Sequence, residues 1–485
     1  MRKLFLFLIT LVFVSATYAF DEGEPAPVHP VPSPRQLLWH ETEFYAFFTF
    51  GMNTFSNVEW GNGAEPESRF KPTKIPNPRQ WLEAVKEGGM KGGIAVVKHH
   101  DGFCLWPTAT TTHSVLNSGN ANGVATNIPR DFTIAAHDLG MKYGFYVSPW
   151  DLNSKYWGDG TSDYVNKVFL PQCLELAQYG SDQFEMWFDG ATGADVRGYY
   201  GGANETRAIW NTSTYYDIPN LRDTVHQMAP NCVLWGVGEE IRWIGNEQGW
   251  AGVTNWAMGT GEEGNENEWR WEPGESDAMA TNKGWFWHAG QSPKSASELF
   301  KIYLETVGRN ANLILNFPPD TSGELPVADV RVLKELGQLM ATRLGNDLAP
   351  AATVEVSDTR PASQTHTFDA ANLTDGNKDT YWAASDGQTQ ATITLSWDEP
   401  QDLHYVTLME YIKLGQRVRD FSIETSADAS TWTERASGIT TTIGYKRIVP
   451  LSGNTANYTT VKAQYLRIKI NDCRSCPTLH TLQVF

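Results

Sequence analysis

The 485-residue sequence has no cluster of basic residues, and this absence excludes one large class of function. Its 38 Lys and Arg residues are outnumbered by 56 Asp and Glu residues, which gives a formal net charge of −18. No run of five or more basic residues occurs in it. Because binding to a phosphate backbone depends on clustered Lys and Arg side chains, we predict that the protein does not bind nucleic acid.

Cysteine is also scarce, with 5 residues in the sequence, so at least one thiol is unpaired. Cys473 and Cys476 are spaced as C-x-x-C, but no second pair of this kind is present to complete a zinc site. A disulfide between these two residues is the expected alternative in an oxidising compartment. The sequence also lacks an H-E-x-x-H motif, and no G-x-G-x-x-G follows the first predicted strand. These absences disfavour a metallopeptidase and a dinucleotide-binding protein.

Long apolar runs are missing except near the N-terminus. There, Arg2 and Lys3 precede a largely apolar stretch over residues 4–14, and small residues lead up to Ala19. This pattern predicts a signal peptide over residues 1–19, since the apolar stretch is too short to span a bilayer comfortably. We therefore expect a secreted, extracellular protein, periplasmic if the source is bacterial, with no membrane attachment after the signal is removed.

Short apolar runs rich in aromatic and β-branched residues alternate with amphipathic segments over residues 20–345. Such alternation predicts parallel strands connected by helices, and the number of repeats favours a (β/α) barrel, with some irregularity, over an open sheet. The amphipathic segments include 78–86 after the capping residue Asn77, 132–139 after Asp131, and 295–307. The predicted strands are 44–51, 93–99, 143–148, 184–190, 232–238, 285–288 and 313–317.

The composition changes near residue 346, where a second domain is predicted to begin. Residues 346–352 form a polar linker that contains proline, and Thr, Ser and Asp become more frequent after it. Short alternating runs then dominate, for example at 392–395, 421–424 and 465–470. This pattern predicts an antiparallel β-sandwich over residues 351–485.

Chemistry in a (β/α) barrel takes place at the C-terminal ends of the strands, so the polar residues there are the candidates for catalysis. Asp189 ends a run of aromatic residues, where an unpaired buried carboxylate would be costly. Glycoside hydrolysis would need a second carboxyl group. Glu275 has a slight advantage because it lies between Trp271 and Trp285, where an apolar surround would raise its pKa. The other candidates are Glu239, Glu240, Glu247, Glu262, Glu263, Glu266, Glu268 and Glu272.

Two further pairs of residues suit sugar binding. His99 and His100 follow the second predicted strand, where they could bind hydroxyl groups or simply pack, whereas metal binding would require a third ligand in a suitable geometry. Adjacent strand residues point in opposite directions, so both face a site only if the strand has already ended. Glu59 and Trp60 could hold a sugar by hydrogen bonds and stacking, the alternative being a solvated Glu beside a loop Trp.

Several of these segments together resemble the α-L-fucosidases of glycoside hydrolase family 29. The likeness covers about residues 36 to 345, and its N-T-F…E-W-G and W-x-P-x-E-x-D motifs are similar to the subgroup that prefers α-1,3/1,4-linked fucose on branched glycans. The segments that carry it are 50–55 with 59–61, 98–107, 144–151, 187–191, 271–277, 284–286 and 307–313 with 316–319.

The resemblance implies a retaining exo-α-L-fucosidase that acts on fucosylated oligosaccharides or glycoconjugates, with α-1,2 linkages left open as further substrates. Asp189 then corresponds to the nucleophile, which forms a covalent glycosyl-aspartate intermediate, and Glu275 to the acid/base. No cofactor is implied for catalysis. The residues implied to line the fucose pocket are Glu59, Trp60, His99, His100 and Tyr146, with Trp285 beside it. Thr49 also belongs to this set, at a position where members of the resembled family usually carry a His.

The predicted sandwich resembles discoidin-like or carbohydrate-binding domains, through residues 373–377, 380–382 and 415–418. Such domains often hold a structural calcium near an Asp-Gly loop, which makes Asp375 a candidate ligand; the alternative is an ordinary turn. The domain would either bind glycans or brace the barrel. Nothing in the sequence indicates the oligomeric state.

Two other functions stay open at this point. One is hydrolysis of a related sugar such as α-L-galactose, because an apolar pocket rejects an added hydroxyl group only modestly. The other is a fucose-binding, lectin-like protein with impaired catalysis. Thr49 is the only sequence feature that favours the second alternative, and the presence of Asp189 and Glu275 argues against it.

We predict that Thr49→His strengthens the binding of fucose. Members of the resembled family usually carry a His at this position that hydrogen-bonds the sugar, and Thr reaches less far. A neutral hydrogen bond contributes about 0.5–1.5 kcal/mol net, so the inhibition constant for free fucose should fall roughly 2- to 12-fold. An inhibition constant equal to that of the wild type would contradict this prediction.

Overall fold

The computed structural model describes residues 23–194, 196–236 and 240–485, so the predicted signal peptide lies outside the described residues. None of the helices formed by these residues is long and apolar enough to cross a membrane. The strands of the first domain are β1 Phe44–Phe48, β2 Gly92–Lys98, β3 Lys142–Val147, β4 Glu185–Trp187, β5 Arg197–Gly198, β6 Glu205–Thr206, β7 Val233–Trp235, β8 Arg242–Trp243, β9 Gly274–Met279 and β10 Ala311–Asn316.

Eight of these strands form one sheet in the order β7-β4-β3-β2-β1-β10-β9-β8. Every neighbouring pair in the sheet is parallel. A bridge between Trp235 and Ile241 brings the two edges together, which makes the sheet a nearly closed barrel. The predicted (β/α) barrel is therefore confirmed.

Alternation along the strands divides the core into two parts. In β1, Tyr45 and Phe47 face the barrel interior, whereas Phe44 and Phe48 join the apolar layer beneath the surrounding helices. This is the period of two that a strand imposes on its side chains. The helices are α1 Pro34–Thr42, α2 Pro78–Glu87, α3 Ala121–Ala125, α4 Ile128–Leu139, α5 Leu170–Ala177, α6 Thr212–Tyr215, α7 Ile218–Met228, α8 Ala296–Thr306 and α9 Val327–Leu344.

The helix boundaries follow capping chemistry. Asn77 caps α2 and Ser295 caps α8, as their side-chain oxygens accept the backbone hydrogens three residues on. The prediction that Asp131 caps the next helix was wrong, because Asn127 caps α4 one turn earlier. Gly140 ends α4 in the left-handed conformation.

One strand prediction was wrong in a way that matters for the site. Residues 285–288 form no strand; they belong to a loop at the C-terminal end of the barrel. The sheet contains β8 and β9 instead. Neither was apparent from apolar runs, since β8 is two residues long and β9 reads Gly-Glu-Ser-Asp-Ala-Met.

The second domain consists of two antiparallel sheets, as predicted. One has the order β11-β13-β18-β15-β16 and the other β12-β19-β14-β17, with a shared apolar core between them. The runs predicted at 392–395, 421–424 and 465–470 lie within β13, β15 and β18. The strands are β11 Thr353–Val356, β12 Trp382–Ala383, β13 Ala391–Leu403, β14 Tyr405–Glu410, β15 Val418–Ser426, β16 Thr433–Arg435, β17 Arg447–Pro450, β18 Val461–Cys473 and β19 Thr478–Val484.

Two features expected of the sandwich look different in the structure. Cys473 and Cys476 are both buried and free, so they form no disulfide with each other. The carboxylate of Asp375 accepts hydrogens from the Asn377 backbone and the Thr380 hydroxyl, which is the pattern of an ordinary turn. Within the described residues, no three or more His, Cys, Asp or Glu side chains form a group that could hold a metal ion. Calcium at Asp375 stays a prediction that this arrangement does not favour.

The two domains meet at a joint made of hydrogen bonds and several ion pairs, among them Lys446–Glu43, Lys378–Glu41 and Arg419–Glu266. Lys446 of the sandwich lies 2.8 Å from Glu43 of the barrel, and Lys91 lies 2.8 Å from the other oxygen of the same carboxylate. The two lysines hold the pKa of Glu43 below its usual value although burial raises it. Because Glu43 is 5% exposed, this carboxylate depends on its cations.

We predict that Lys446→Met destabilises the protein by roughly 3 kcal/mol, since it removes one cation from a buried carboxylate. Thermal and urea unfolding would measure the change. Lys413→Met is the matched control, because Lys413 pairs with the mostly exposed Asp379. The control should change stability by less than about 1 kcal/mol. Equal effects of the two substitutions would contradict the prediction.

Candidate active site

A cavity of about 310 Å³ opens at the C-terminal ends of the barrel strands. Residues from six strand ends and the loops after them surround it, as expected where parallel strands converge. Its inner part is apolar and aromatic, and its polar groups are mainly carboxylates and imidazoles. The lining residues are Phe47, Thr49, Glu59, Trp60, Val96, His99, His100, Tyr146, Trp187, Asp189, Glu247, Asp277 and Trp285.

Asp189 lies two residues beyond the end of β4 and faces this cavity. One carboxylate oxygen accepts the backbone hydrogen of Ala191 at 2.8 Å, and the other accepts the Tyr146 hydroxyl at 3.2 Å. The side chain is 29% exposed. Two neutral donors thus fix the orientation of the carboxylate and leave it accessible from the cavity.

Both His99 and His100 line the cavity because β2 ends at Lys98, so the alternation of the strand no longer applies. Burial lowers the pKa of His100 to about 3 and that of His99 well below its usual value, so both rings are neutral. The Ser148 hydroxyl donates to the Trp150 carbonyl and lies 2.7 Å from Nδ1 of His100. Nε2 of the same ring faces Asp189 at 3.8 Å.

Glu59 lines the cavity, but its carboxylate is already occupied by the loop that carries Trp285. It accepts the backbone hydrogen of Trp285 at 2.8 Å and makes a short hydrogen bond with His288. Trp60 next to it is 51% exposed and packs edge-on against His100. Glu59 thus positions the Trp285 loop, while Trp60 offers an open aromatic face at the mouth of the cavity.

Thr49 also reaches the cavity, directly after β1. Its hydroxyl donates to Asn316 at 2.7 Å, and the amide of Asn316 donates to the Trp285 carbonyl at 2.7 Å. The hydrogen of Thr49 is therefore used within the protein. Toward a ligand, Thr49 can only accept a hydrogen bond.

Glu275 does not line the cavity, which departs from the expectation that it is the acid/base. It is 1% exposed and lies within the barrel, on β9. Its two oxygens accept hydrogens from the Trp187 indole, at 2.8 Å, and from the Tyr45 hydroxyl. A carboxyl group held there is separated from the cavity by the Trp187 ring.

Two other carboxyl groups, Glu247 and Asp277, share the cavity with Asp189. Glu247 is exposed and lies four residues after β8, in the loop at the mouth. Asp277 is 5% exposed and accepts the Trp243 indole hydrogen at 2.7 Å. Burial, together with the neighbouring Glu275 and Glu247, raises the pKa of Asp277 to about 7.

Sequence reasoning had not selected either group. Asp277 is the last residue of the W-x-P-x-E-x-D motif, and Glu247 is one of several glutamates after the fifth predicted strand. A strand predicted over residues 241–244 would have placed Glu247 just after a strand end, where the catalytic residues of such barrels lie.

The fold and the cavity together define a class of protein. A parallel barrel whose strand ends bring carboxyl groups, neutral imidazoles and aromatic faces around a sugar-sized cavity has the features of a glycoside hydrolase.

Comparison with known proteins identifies the family. The alpha-L-fucosidase family model matches residues 36–343. Alpha-L-fucosidase 1 of Arabidopsis thaliana is 32% identical over 99% of this chain and 92% of its own length. A crystal structure of a putative alpha-L-fucosidase from Bacteroides thetaiotaomicron superposes with a TM-score of 0.83, at 31% identity, over 95% of this chain and 99% of that one. The chain belongs to the alpha-L-fucosidases of glycoside hydrolase family 29.

The resemblance seen in the sequence is thereby confirmed for both domains. Residues 353–480 match the F5/8 type C domain model, to which discoidin-like domains belong. A Ruminococcus gnavus family 29 fucosidase, solved in complex with fucose, is 29% identical over 95% of this chain and 96% of its own, with a TM-score of 0.83.

We predict that Asp277→Asn is more stable than the wild type and that the difference in their unfolding free energies grows as the pH rises. The pKa of Asp277 is about 7 in the folded protein, against 3.8 for an unperturbed Asp in the unfolded chain, so between these values the folded state binds the extra proton and stability falls with rising pH. Asn carries no such cost. The difference in unfolding free energy between the variants should grow by up to about 4 kcal/mol from pH 4 to pH 7.

Urea unfolding at several pH values would measure this difference. Asp398→Asn, at an exposed position, controls for the loss of one negative charge. A difference between Asp277→Asn and the wild type that does not vary with pH would contradict the prediction.

Proposed function

We propose that the protein is a retaining exo-α-L-fucosidase in which Asp189 is the nucleophile and Glu247 is the acid/base. The observation that carries this proposal is that Asp189 and Glu247 face the same cavity, whereas Glu275 does not. Exposure of Glu247 at the mouth suits a proton donor to the glycosidic oxygen, since the rest of the glycan must extend outward from there.

The two carboxyl groups divide the reaction into two displacements. In the first, an oxygen of Asp189 bonds to the anomeric carbon of fucose while the bond to the glycosidic oxygen breaks. Glu247 gives its proton to the departing oxygen. In the second, Glu247 takes a proton from water, and the water oxygen displaces Asp189 from the anomeric carbon. Two inversions return the α configuration and regenerate both carboxyl groups.

The neutral histidines are proposed to bind fucose hydroxyl groups. His99 lines the cavity, and its buried Nδ1 has no hydrogen-bond partner within the described residues. Nε2 of His100 lies 3.8 Å from the Asp189 carboxylate. Because neither ring is charged, neither forms an ion pair with Asp189, and the carboxylate keeps its reactivity as a nucleophile.

Several features favour a terminal fucose residue as the substrate. The cavity has room for one sugar and ends at the aromatic side chains of Phe47 and Trp187. Apolar groups there suit the methyl group of a 6-deoxy sugar, which favours fucose over α-L-galactose. The Ruminococcus gnavus relative binds fucose. The preference for α-1,3/1,4 linkages rests on the sequence motifs of the subgroup.

We also propose that the protein is secreted, with a mature chain that begins at Phe20. The proposal rests on the basic, apolar and small-residue pattern of residues 1–19. The N-terminal residue of exported protein, determined by mass spectrometry, would test it. An exported chain that still begins at Met1 would contradict it.

We predict that Asp189→Gly and Glu247→Ala differ in their dependence on the leaving group. Asp189→Gly should stop turnover of every substrate. Glu247→Ala should slow hydrolysis of an α-1,3/1,4-fucosylated oligosaccharide by about 10²- to 10⁴-fold. The same variant should lose far less activity on an aryl fucoside whose leaving group needs no proton.

Added azide distinguishes the two roles, because the anomeric configuration of the fucosyl azide product differs between them. Proton NMR identifies that configuration. Azide should give β-fucosyl azide with Asp189→Gly, by direct displacement, and α-fucosyl azide with Glu247→Ala, by attack on the glycosyl-aspartate. Glu262→Ala, at an exposed position outside the cavity, is the control and should behave as the wild type. The assignment of Glu247 fails if its variant is equally slow on both substrates and azide gives no fucosyl azide.

A further inference from the structure

Two buried carboxyl groups inside the barrel have no role in the reaction proposed above. Glu185 on β4 is 0% exposed and Glu275 on β9 is 1% exposed. These strands are not neighbours in the sheet, so the two side chains meet across the barrel interior. They lie within hydrogen-bonding contact of each other. Two buried carboxyl groups in contact are not both ionised at neutral pH, because the repulsion between their charges strongly raises one of the two pKa values.

The donors around the pair account for three of its four oxygens. Glu275 accepts hydrogens from the indole of Trp187 and from the hydroxyl of Tyr45. One oxygen of Glu185 lies 2.9 Å from the Trp39 indole nitrogen and 3.1 Å from the Tyr45 hydroxyl. Its other oxygen, Oε1, is buried and has no hydrogen-bond partner among the described residues. A proton on Glu185 that is donated to Glu275 relieves the repulsion between the two buried carboxyl groups.

The pKa shifts agree with this placement of the proton. Burial and then the neighbouring Glu275 raise the pKa of Glu185 well above its usual value. Burial raises the pKa of Glu275 to about 6, against the lowering effect of its donors. At neutral pH, Glu185 is thus the acid of the pair and Glu275 is the carboxylate. Glu275 in turn contributes to the raised pKa of Asp277 on the same strand.

The side chain of Trp187 connects the carboxylate of Glu275 to the sugar cavity, because its indole donates to Glu275 while its ring lines the cavity. The Trp187 ring lines the cavity and stacks between Trp235, at 3.6 Å, and Tyr146, at 5.2 Å between ring centroids. Tyr146 in turn donates its hydroxyl hydrogen to Asp189. The orientation of the Trp187 indole therefore sets the inner wall of the cavity and supports the group that holds the nucleophile.

We propose that Glu185 and Glu275 form a carboxyl–carboxylate pair that positions the Trp187 indole, so that both are positioning residues for fucose and neither exchanges a proton with the substrate. This inference rests on the proposed assignment of the acid/base role to Glu247. It gives Glu275 a function that its burial allows, and it predicts an asymmetry between the two glutamates that a merely structural role would not produce.

The asymmetry is tested with glutamine variants. Glu185→Gln should keep kcat/KM within about threefold of the wild type, because the amide donates to Glu275 as the carboxyl group does. Glu275→Gln should lower kcat/KM by roughly 10- to 100-fold, since a hydrogen bond to a charged acceptor is replaced. The loss should be equal for the oligosaccharide and the activated aryl fucoside. The inhibition constant for free fucose should rise with it.

A double-mutant cycle with Trp187→Phe keeps the test decisive if Glu275→Gln folds poorly at high temperature. Trp187→Phe removes the indole N–H and should reproduce the loss seen with Glu275→Gln, and the double variant should lose no more than either single one. Thermal unfolding and circular dichroism would confirm that each variant is folded at the assay temperature. Additive losses would overturn the proposal, as would equal effects of the two glutamine variants.

Azide separates failure of this inference from failure of the proposed function. If Glu275→Gln hydrolyses only the activated substrate and azide yields α-fucosyl azide, then Glu275 is the acid/base, and the positioning proposal is overturned. If instead Glu247→Ala lacks leaving-group dependence while the Glu275 variants behave as expected, the acid/base assignment fails and the positioning of Trp187 by Glu275 stands.

Discussion

The negative charge of Asp189 at the end of an aromatic barrel is the constraint on which the cavity depends. A carboxylate in such a place needs hydrogen-bond donors, because burying a polar group without a partner costs on the order of several kcal/mol. The structure supplies a tyrosine hydroxyl and a backbone amide, both neutral. Burial keeps the adjacent His100 neutral as well. The charge is held in position without being neutralised, which is what a nucleophile requires.

Depth in the barrel separates the carboxyl groups into different roles. Glu247 and Asp189 lie where solvent reaches them, whereas Asp277 is in the wall with a pKa of about 7, and Glu185 and Glu275 are enclosed. Burial removes hydration from the charged form and favours the protonated one, whereas hydrogen-bond donors, as at Glu275, favour the charged form. In the proposed function, the same chemical group therefore serves as nucleophile, as proton donor and as a fixed hydrogen-bonding partner within one barrel.

The sequence predicted the barrel, the sandwich and most of the cavity, but the structure buries Glu275, the residue expected to be the acid/base, within the barrel. Apolar runs locate strands such as β2 and β3, which are buried on both faces. They do not locate β9, whose inward positions carry Glu275 and Asp277, because these charges resemble a loop. An apolar surround was the argument for choosing Glu275, and it is correct as a description; yet complete burial beneath Trp187 removes the access that an acid/base needs.

The sandwich contributes to the cavity through β10, which links the domain joint to the site. Asn310, just before this strand, donates to the Asn255 carbonyl and accepts the backbone hydrogen of Tyr445 from the sandwich. At the other end of β10, Asn316 holds both Thr49 and the Trp285 loop. A strand fixed at its start is a rigid support for the groups at its end. Of the two roles considered for this domain, bracing the barrel is therefore the one for which the contacts provide a physical basis.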